Sequence, residues 1–299
     1  MAGLARPPQA GAYDRRMGDA AILGGFGSAI CWTVAGLCAA RLSRALRPLP
    51  ALAWTQIVGL ALVLPFALVL GGRPNLSAPA LGWAAAYGVA VIAALVLTYR
   101  AFEVGKVGVV SPMISADGGL AALAAVMLGE TLAPVAGVGL AVIVLGVVLS
   151  GMRNDASGPG GGSSRHAILL ALGAAVGFTV TYVVASRARA DGLDSVWVIR
   201  GARVFGVGLV AVPVFLRVRP SLPREQRLAV LVSAAADSLG FALFLWAAAE
   251  SLATAAVLST QYATLTAIAG VLLFRERLTR LQWAGTALVL AGVTLVAAQ

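Results

Sequence analysis

Ten apolar runs divide the chain, at roughly 20–40, 50–71, 79–101, 105–128, 132–152, 166–186, 195–216, 228–248, 252–274 and 280–298. Each is close to the length, about 20 residues, that a helix needs to cross the hydrocarbon core of a bilayer. The polar connections are short and carry most of the charge. The pattern predicts ten membrane-spanning helices, numbered here span 1 to span 10 in chain order. Helices are expected because lipid offers no partners for backbone N–H and C=O groups, and a helix pairs them within its own segment. One connection differs from the others. Ser157-Gly158-Pro159-Gly160-Gly161-Gly162-Ser163-Ser164, near the middle of the chain, has the composition of a flexible linker. Arg15-Arg16 precedes the first run, as basic residues precede a secretory signal. That run is longer than a signal's apolar core and has a counterpart later in the chain, so it is expected to be retained.

Sliding the sequence by 146 residues aligns its halves without gaps. Ala21-Ile22-Leu23 meets Ala167-Ile168-Leu169, Gly27 meets Gly173, and Thr33-Val34 meets Thr179-Val180. Arg73-Pro74-Asn75-Leu76 meets Arg219-Pro220-Ser221-Leu222, and Glu130-Thr131-Leu132 meets Glu276-Arg277-Leu278. Gly139 and Gly146 meet Gly285 and Gly292. Small apolar residues coincide by chance, so the weight rests on Arg-Pro-x-Leu and on the Glu-x-Leu frame with its two glycines. Five spans per half is an odd number, so the second half enters the membrane with the opposite orientation. Inverted repeats of this kind mark transporters, with a substrate site near the bilayer midplane and one half rocking against the other.

The segment from Tyr99 to Gly151 has a short polar link, Ser111-Pro112 near the start of a span, then Gly129-Glu130-Thr131-Leu132 and the glycine pair. Trp246 to Ala297 repeats it with Arg275-Glu276-Arg277-Leu278 and Gln282. Over almost the whole chain this resembles the tandem EamA-type halves of the drug/metabolite transporter superfamily. The resemblance implies an all-α integral membrane protein, ten transmembrane helices in a 5+5 inverted repeat, that exports amino acids or related metabolites. The nearest branch it suggests is the aromatic amino acid exporters. The repeats are then 20–152 and 166–298, joined by a flexible linker at 153–165. The second repeat departs from the first in having Leu258 where the first has Pro112. Small multidrug members of the superfamily use a membrane Glu in their first helix. Span 1 has no Glu, so their proton exchange does not carry over.

Composition narrows the class further. Of 299 residues, 60% are apolar and only 11% charged, too few charges for a water-soluble surface. A soluble enzyme and a disordered chain are excluded. The net charge of +10 comes from 22 cations scattered between apolar runs, not from one patch, so nucleic acid is not an expected partner. Cys31 and Cys38 lie in one run, roughly 10 Å apart along a helix, too far for a disulfide. The single histidine, His166, lies at the linker's end and excludes a multi-histidine metal site. No nucleophile–base set or phosphate loop is present. No catalytic residue, metal or cofactor is therefore expected. The expected partners are a small-molecule substrate and the lipid bilayer, with the protein a monomer in the cell's inner membrane.

Candidate substrate residues are the polar and aromatic positions inside spans. A charge at a helix centre costs about 2.5–3.5 kcal/mol on insertion scales, so it should face protein or a wet cavity. Asp117, Arg200, Arg203 and Asp237 are such charges. Arg200 and Arg203 share a face of span 7 and could bind the carboxylate of a zwitterion while Asp237 binds its amine. Equally, they could form a helix-locking ion pair, or the arginines could reach for an interface. On a continuous span 4, Ser111, Ser115 and Gly118 share a face and Asp117 lies about 120° away. The Ser face is favoured, because Ser115 aligns with Gln261 and Gly118 with Thr264, which with Thr254 mark span 9. Interhelical hydrogen bonding by small polar residues is the competing explanation. Trp32 and Phe178 are repeat-matched, and Tyr182 follows Phe178 by one turn. Aromatic walls would suit an apolar amino acid. Trp83 and Tyr99, near span ends, fit an interfacial belt. Trp32, Ser115, Phe178, Tyr182, Asp237 and Gln261 are the expected substrate-binding set. Glu130 and Glu276 mark span junctions and are expected to be structural, as helix caps or as a partner of Arg277.

The leading reading is a secondary exporter of small metabolites. A channel-like facilitator would have the same polar lining. A membrane enzyme is disfavoured by the absence of a cluster of carboxylates, His or Lys at a membrane surface. Orientation follows from the cations outside spans. The N-tail and even-numbered loops hold 6 and the odd-numbered loops 14, so the odd loops should be cytoplasmic and both termini outside.

Overall fold

The computed structural model describes residues 10–70, 77–127, 134–151, 164–192, 201, 203–250, 255 and 258–297. Residues 153–163 of the linker, Glu130, Arg200 and Thr254 lie outside them. Among the described residues every regular element is a helix. Spans 1, 2 and 3 are Ala10–Leu46, Pro48–Leu70 and Ala78–Val104. Span 5 is Pro134–Gly151, span 6 Ser164–Ala190, span 8 Arg224–Glu250 and span 10 Arg280–Ala297. Five helices are long and apolar enough to cross a membrane, those of spans 1, 2, 3, 6 and 8. Span 7 passes through a π-helical turn, Val207–Ala211, just before Pro213, and continues as Val212–Arg217. Proline has no N–H to donate, so the regular ladder is interrupted there.

The packing partners obey a simple rule. Span 1 lies on span 8, and its repeat counterpart, span 6, lies on span 3. Span 1 also meets span 9 as span 6 meets span 4, while span 5 meets span 10 and span 4 meets span 9. Exchanging each span with its counterpart five later leaves these pairings unchanged, as a two-fold relation between halves requires. Direction is given by glycines. A Cβ on Gly139 would fall 3.0 Å from the carbonyl of Gly292, and one on Gly146 would fall 2.6 Å from that of Gly285. Positions rise along span 5 as they fall along span 10, so these two equivalent helices run antiparallel and the halves are inverted. The glycines are required sterically. A Cβ on Gly285 would lie 2.2 Å from Ser150 Oγ. Small residues let membrane helices approach to where dispersion holds them.

The expectation of a continuous span 4 is corrected. Val107–Ile114 and Asp117–Met127 are separate helices, with a turn at Ser115 and Ala116. Span 9 turns at Gln261, the repeat partner of Ser115, before its helix Tyr262–Phe274. A break frees backbone groups that must find partners within the protein. Two threonines at repeat-matched positions reach across to the start of the helix after each break. Thr179 donates to the carbonyl of Asp117 at 3.2 Å, and Thr33 to that of Tyr262 at 3.2 Å. Pro112 leaves the carbonyl of Gly108 without its helical donor, and Thr286 of span 10 reaches it at 3.4 Å.

Candidate functional site

Helical phase separates surfaces that face lipid from surfaces that face the bundle. Leu169, Val176 and Val180 form the exposed stripe of span 6, and Leu228, Leu231, Leu239 and Trp246 that of span 8. On span 1 the stripe runs through Ile22, Phe26 and Ile30. Trp32, Tyr182 and Asp237 each lie two residues from a member of its stripe, about 200° round the helix. They point inward. Tyr182 is nevertheless 50% exposed and the Asp237 side chain 33%. Exposure on an inward face means an opening inside the bundle, not lipid.

Four rings gather around span 1. The Trp32 ring meets Phe241 edge-on at 5.2 Å, Phe244 at 5.8 Å and Tyr262 edge-on at 6.1 Å. Gly240 makes room, since a Cβ there would fall 2.7 Å from the indole. Phe241 and Phe244 belong to span 8, whereas Tyr262 follows the turn in span 9.

Two of the intramembrane charges, Arg203 and Asp237, pair within the second half, and Gln56 of the first half joins them. Arg203 Nη2 forms an ion pair with Asp237 Oδ2, and Nη1 donates to Gln56 Oε1 at 3.0 Å. The Arg203 side chain is 16% exposed. Gly59 lets the guanidinium lie across span 2, because a Cβ would sit 3.2 Å from Nη1. Gln56 is nearly buried, and its polar end points at this pair. Gln56 is absent from the expected set, although an amide in the middle of an apolar run is a signal of the same kind as Asp237.

Asp117 opens the second helix of span 4. Its Oδ1 accepts from the Gly118 N–H at 2.7 Å and its Oδ2 from the Tyr182 hydroxyl at 3.1 Å. The turn at Ser115 and Ala116 interrupts the 100° step per residue that would carry Asp117 away from the Ser face. The break brings Asp117 to Tyr182.

The remaining expected residues are placed as follows. Phe178 shares the inward face of span 6 with Tyr182 and packs on the apolar core. Ser115 is buried, and its hydroxyl donates to the Pro112 carbonyl at 2.8 Å. Gln261 accepts from Thr264 at 3.4 Å and donates to Thr294 of span 10 at 3.5 Å. Ser115 and Gln261 thus occupy the two helix turns. Tyr99 is no belt residue. It is 5% exposed and shares a hydrogen bond with Thr55 at 3.1 Å. Trp83 is at an end, donating to Asp191 at 2.9 Å.

Residues 19–152 and 165–298 each match the model of the EamA-like transporter family. The chain belongs to that family. It is a multi-pass membrane transporter of the EamA type, with two repeats of five spans, and members of the family are transporters rather than enzymes. No curated protein matches the sequence. Among solved structures 19 chains match. One, described only as "Crystal structure of protein", shares 20% identity and superposes with a TM-score of 0.61. The alignment covers 92% of this chain and 96% of that one. At that identity the likeness is one of fold.

Proposed function

We propose that this EamA-type transporter is a secondary exporter of small amphipathic metabolites, amino acids with aromatic or other apolar side chains above all. Its two halves, 20–152 and 166–298, rock about a central site. The observation that carries the reading is the Arg203–Asp237 pair, deep in the bundle yet partly open on an inward face. A permanently lipid-exposed pair would be costly, and a buried one has no need to be open. An arginine whose second nitrogen is steadied by Gln56 can offer its fork to a carboxylate. Trp32, Phe178 and Tyr182 give an apolar body aromatic surface to lie on. Ser115 and Gln261, at the turns of spans 4 and 9, sit where the two broken helices can bend. The protein acts as a monomer in the inner membrane, with both termini outside.

The test is counterflow. Purified protein in proteoliposomes preloaded with unlabelled phenylalanine, leucine or tryptophan should take up the labelled amino acid transiently above equilibrium. Only a carrier links outward to inward movement. Uptake that never exceeds equilibrium would identify a channel-like facilitator, and no uptake of any apolar amino acid would reject the substrate class.

A further inference from the structure

Arg203 and Asp237 neutralise one another, and Asp117 has no such partner among the described residues. The donors to its carboxylate are the Gly118 N–H and the Tyr182 hydroxyl. Asp117 is 9% exposed. A carboxylate offers about four lone-pair positions, and these two donors fill two of them. The helix N-terminus behind Asp117 steadies the negative charge but does not balance it. Nor does that local role require Tyr182, which comes from the other half and is 50% exposed toward the interior. Tyr182, while donating to Asp117, keeps its oxygen lone pairs for a second partner. Tyr182 shares the inward face of span 6 with Phe178, and span 9, whose Tyr262 meets the Trp32 ring, packs on spans 1 and 4. An anionic end continuous with an aromatic wall is chemically matched to a cation on an apolar body. The carboxylate supplies charge, the tyrosine oxygen accepts an N–H, and the ring faces add cation–π attraction.

We propose that Asp117, with the Tyr182 hydroxyl beside it, receives the ammonium group of the substrate, so that the site requires a free amine and selects small organic amines with an apolar or aromatic body. This deepens the transport reading, on which it rests for the central placement of the substrate. The amine, not the carboxylate, is then the part of the molecule that must be present.

Three probes separate the parts: phenylalanine, phenethylamine, which lacks the carboxylate, and N-acetylphenylalanine, which lacks the cation. Binding is read on the purified full-length protein by the shift in thermal unfolding and by competition against labelled phenethylamine. The expected result is that both amines bind and the N-acetyl compound does not. Asp117→Asn should weaken both amines about tenfold or more, Tyr182→Phe less, and Asp117→Glu should retain most binding. Size-exclusion profiles show whether each variant is folded. If Asp117→Asn does not fold, Tyr182→Phe carries the test through its loss of amine affinity, which Asp117→Glu should not share. The proposal is overturned if N-acetylphenylalanine binds as well as the amines, if a folded Asp117→Asn or Tyr182→Phe binds both amines as tightly as the wild type, or if the wild type binds neither amine. Amine binding that depends on Asp117, combined with no counterflow, would leave this site standing and reject the carrier.

Discussion

Glu276, at the end of span 9, caps the first helix of span 4 in the other half and pairs there with Arg44. Its Oε1 accepts from the Val107 N–H at 2.8 Å and its Oε2 from the Gly108 N–H at 2.9 Å. Arg44 Nη2 lies 3.2 Å from Oε1, donates to the Gly105 carbonyl at 2.9 Å, and its guanidinium stacks over Phe274 at 4.9 Å. Arg275 makes this possible by ending span 9 in the left-handed conformation, φ 52°. A helix cap or an Arg277 partner was the expectation, and the helix that Glu276 caps belongs to the opposite repeat. One carboxylate thus joins spans 1, 4 and 9 at one end of the bundle.

Removing this carboxylate leaves two N–H groups and a cation without partners. Glu276→Ala should destabilise the protein by about 3 kcal/mol, at the lower end for a broken buried pair, since Arg44 stays partly hydrated. Glu276→Gln keeps an acceptor for one N–H and should cost about half as much. Thermal unfolding in detergent measures both. An unchanged melting point for Glu276→Ala would show that the cluster holds nothing together.

The contact between spans 5 and 10 has no room for a side chain. Gly285→Leu should abolish folding or shift the melting point down steeply, because even its Cβ would overlap Ser150 and the Gly146 backbone. Gly137→Ala is the control, since nothing lies within 4 Å of its added carbon. Equal effects of the two substitutions would refute the inverted glycine contact.

Asp237→Asn leaves Arg203 uncompensated in the membrane and should lower the yield of folded protein. Replacing both, as Arg203→Leu with Asp237→Leu, removes the charges together and should restore folding but not transport. Recovery of transport in the double variant would make the pair purely structural.

Trp32→Ala should reduce flux about tenfold, equivalent to about 1.4 kcal/mol, with normal membrane expression. Gln261→Ala should also slow transport, through the turn in span 9. Wild-type rates for both across several amino acids would reassign these residues to packing.

Both termini are expected on the outer side of the membrane. A green fluorescent protein fused after Gln299 should stay dark, because it folds poorly there. A fluorescent fusion would reverse the orientation. Arg44, Lys106 and Arg277, from three odd-numbered connections, already meet at one end of the bundle, where Lys106 Nζ donates to the Arg277 carbonyl at 2.7 Å.

Much of this protein is local in origin and therefore readable along the chain. The number of spans, the duplication and its inversion depend only on run length, an offset of 146 and the oddness of five. Trp32, Tyr182 and Asp237 stand out in the sequence as aromatic or charged residues inside apolar runs, and unbroken helices carry them to inward faces. What the sequence could not determine begins where a helix stops. The turn at Ser115 rotates everything beyond it, so Asp117 comes to Tyr182 although the ideal phase sends it elsewhere. Pairings between halves are likewise invisible to any local pattern. Nothing near Glu276 reveals that Val107 and Gly108 are its partners, and nothing near Arg203 points to Gln56. Those relations arise from how two inverted halves close on each other, and in a bilayer the need to satisfy every freed polar group decides which partners they find.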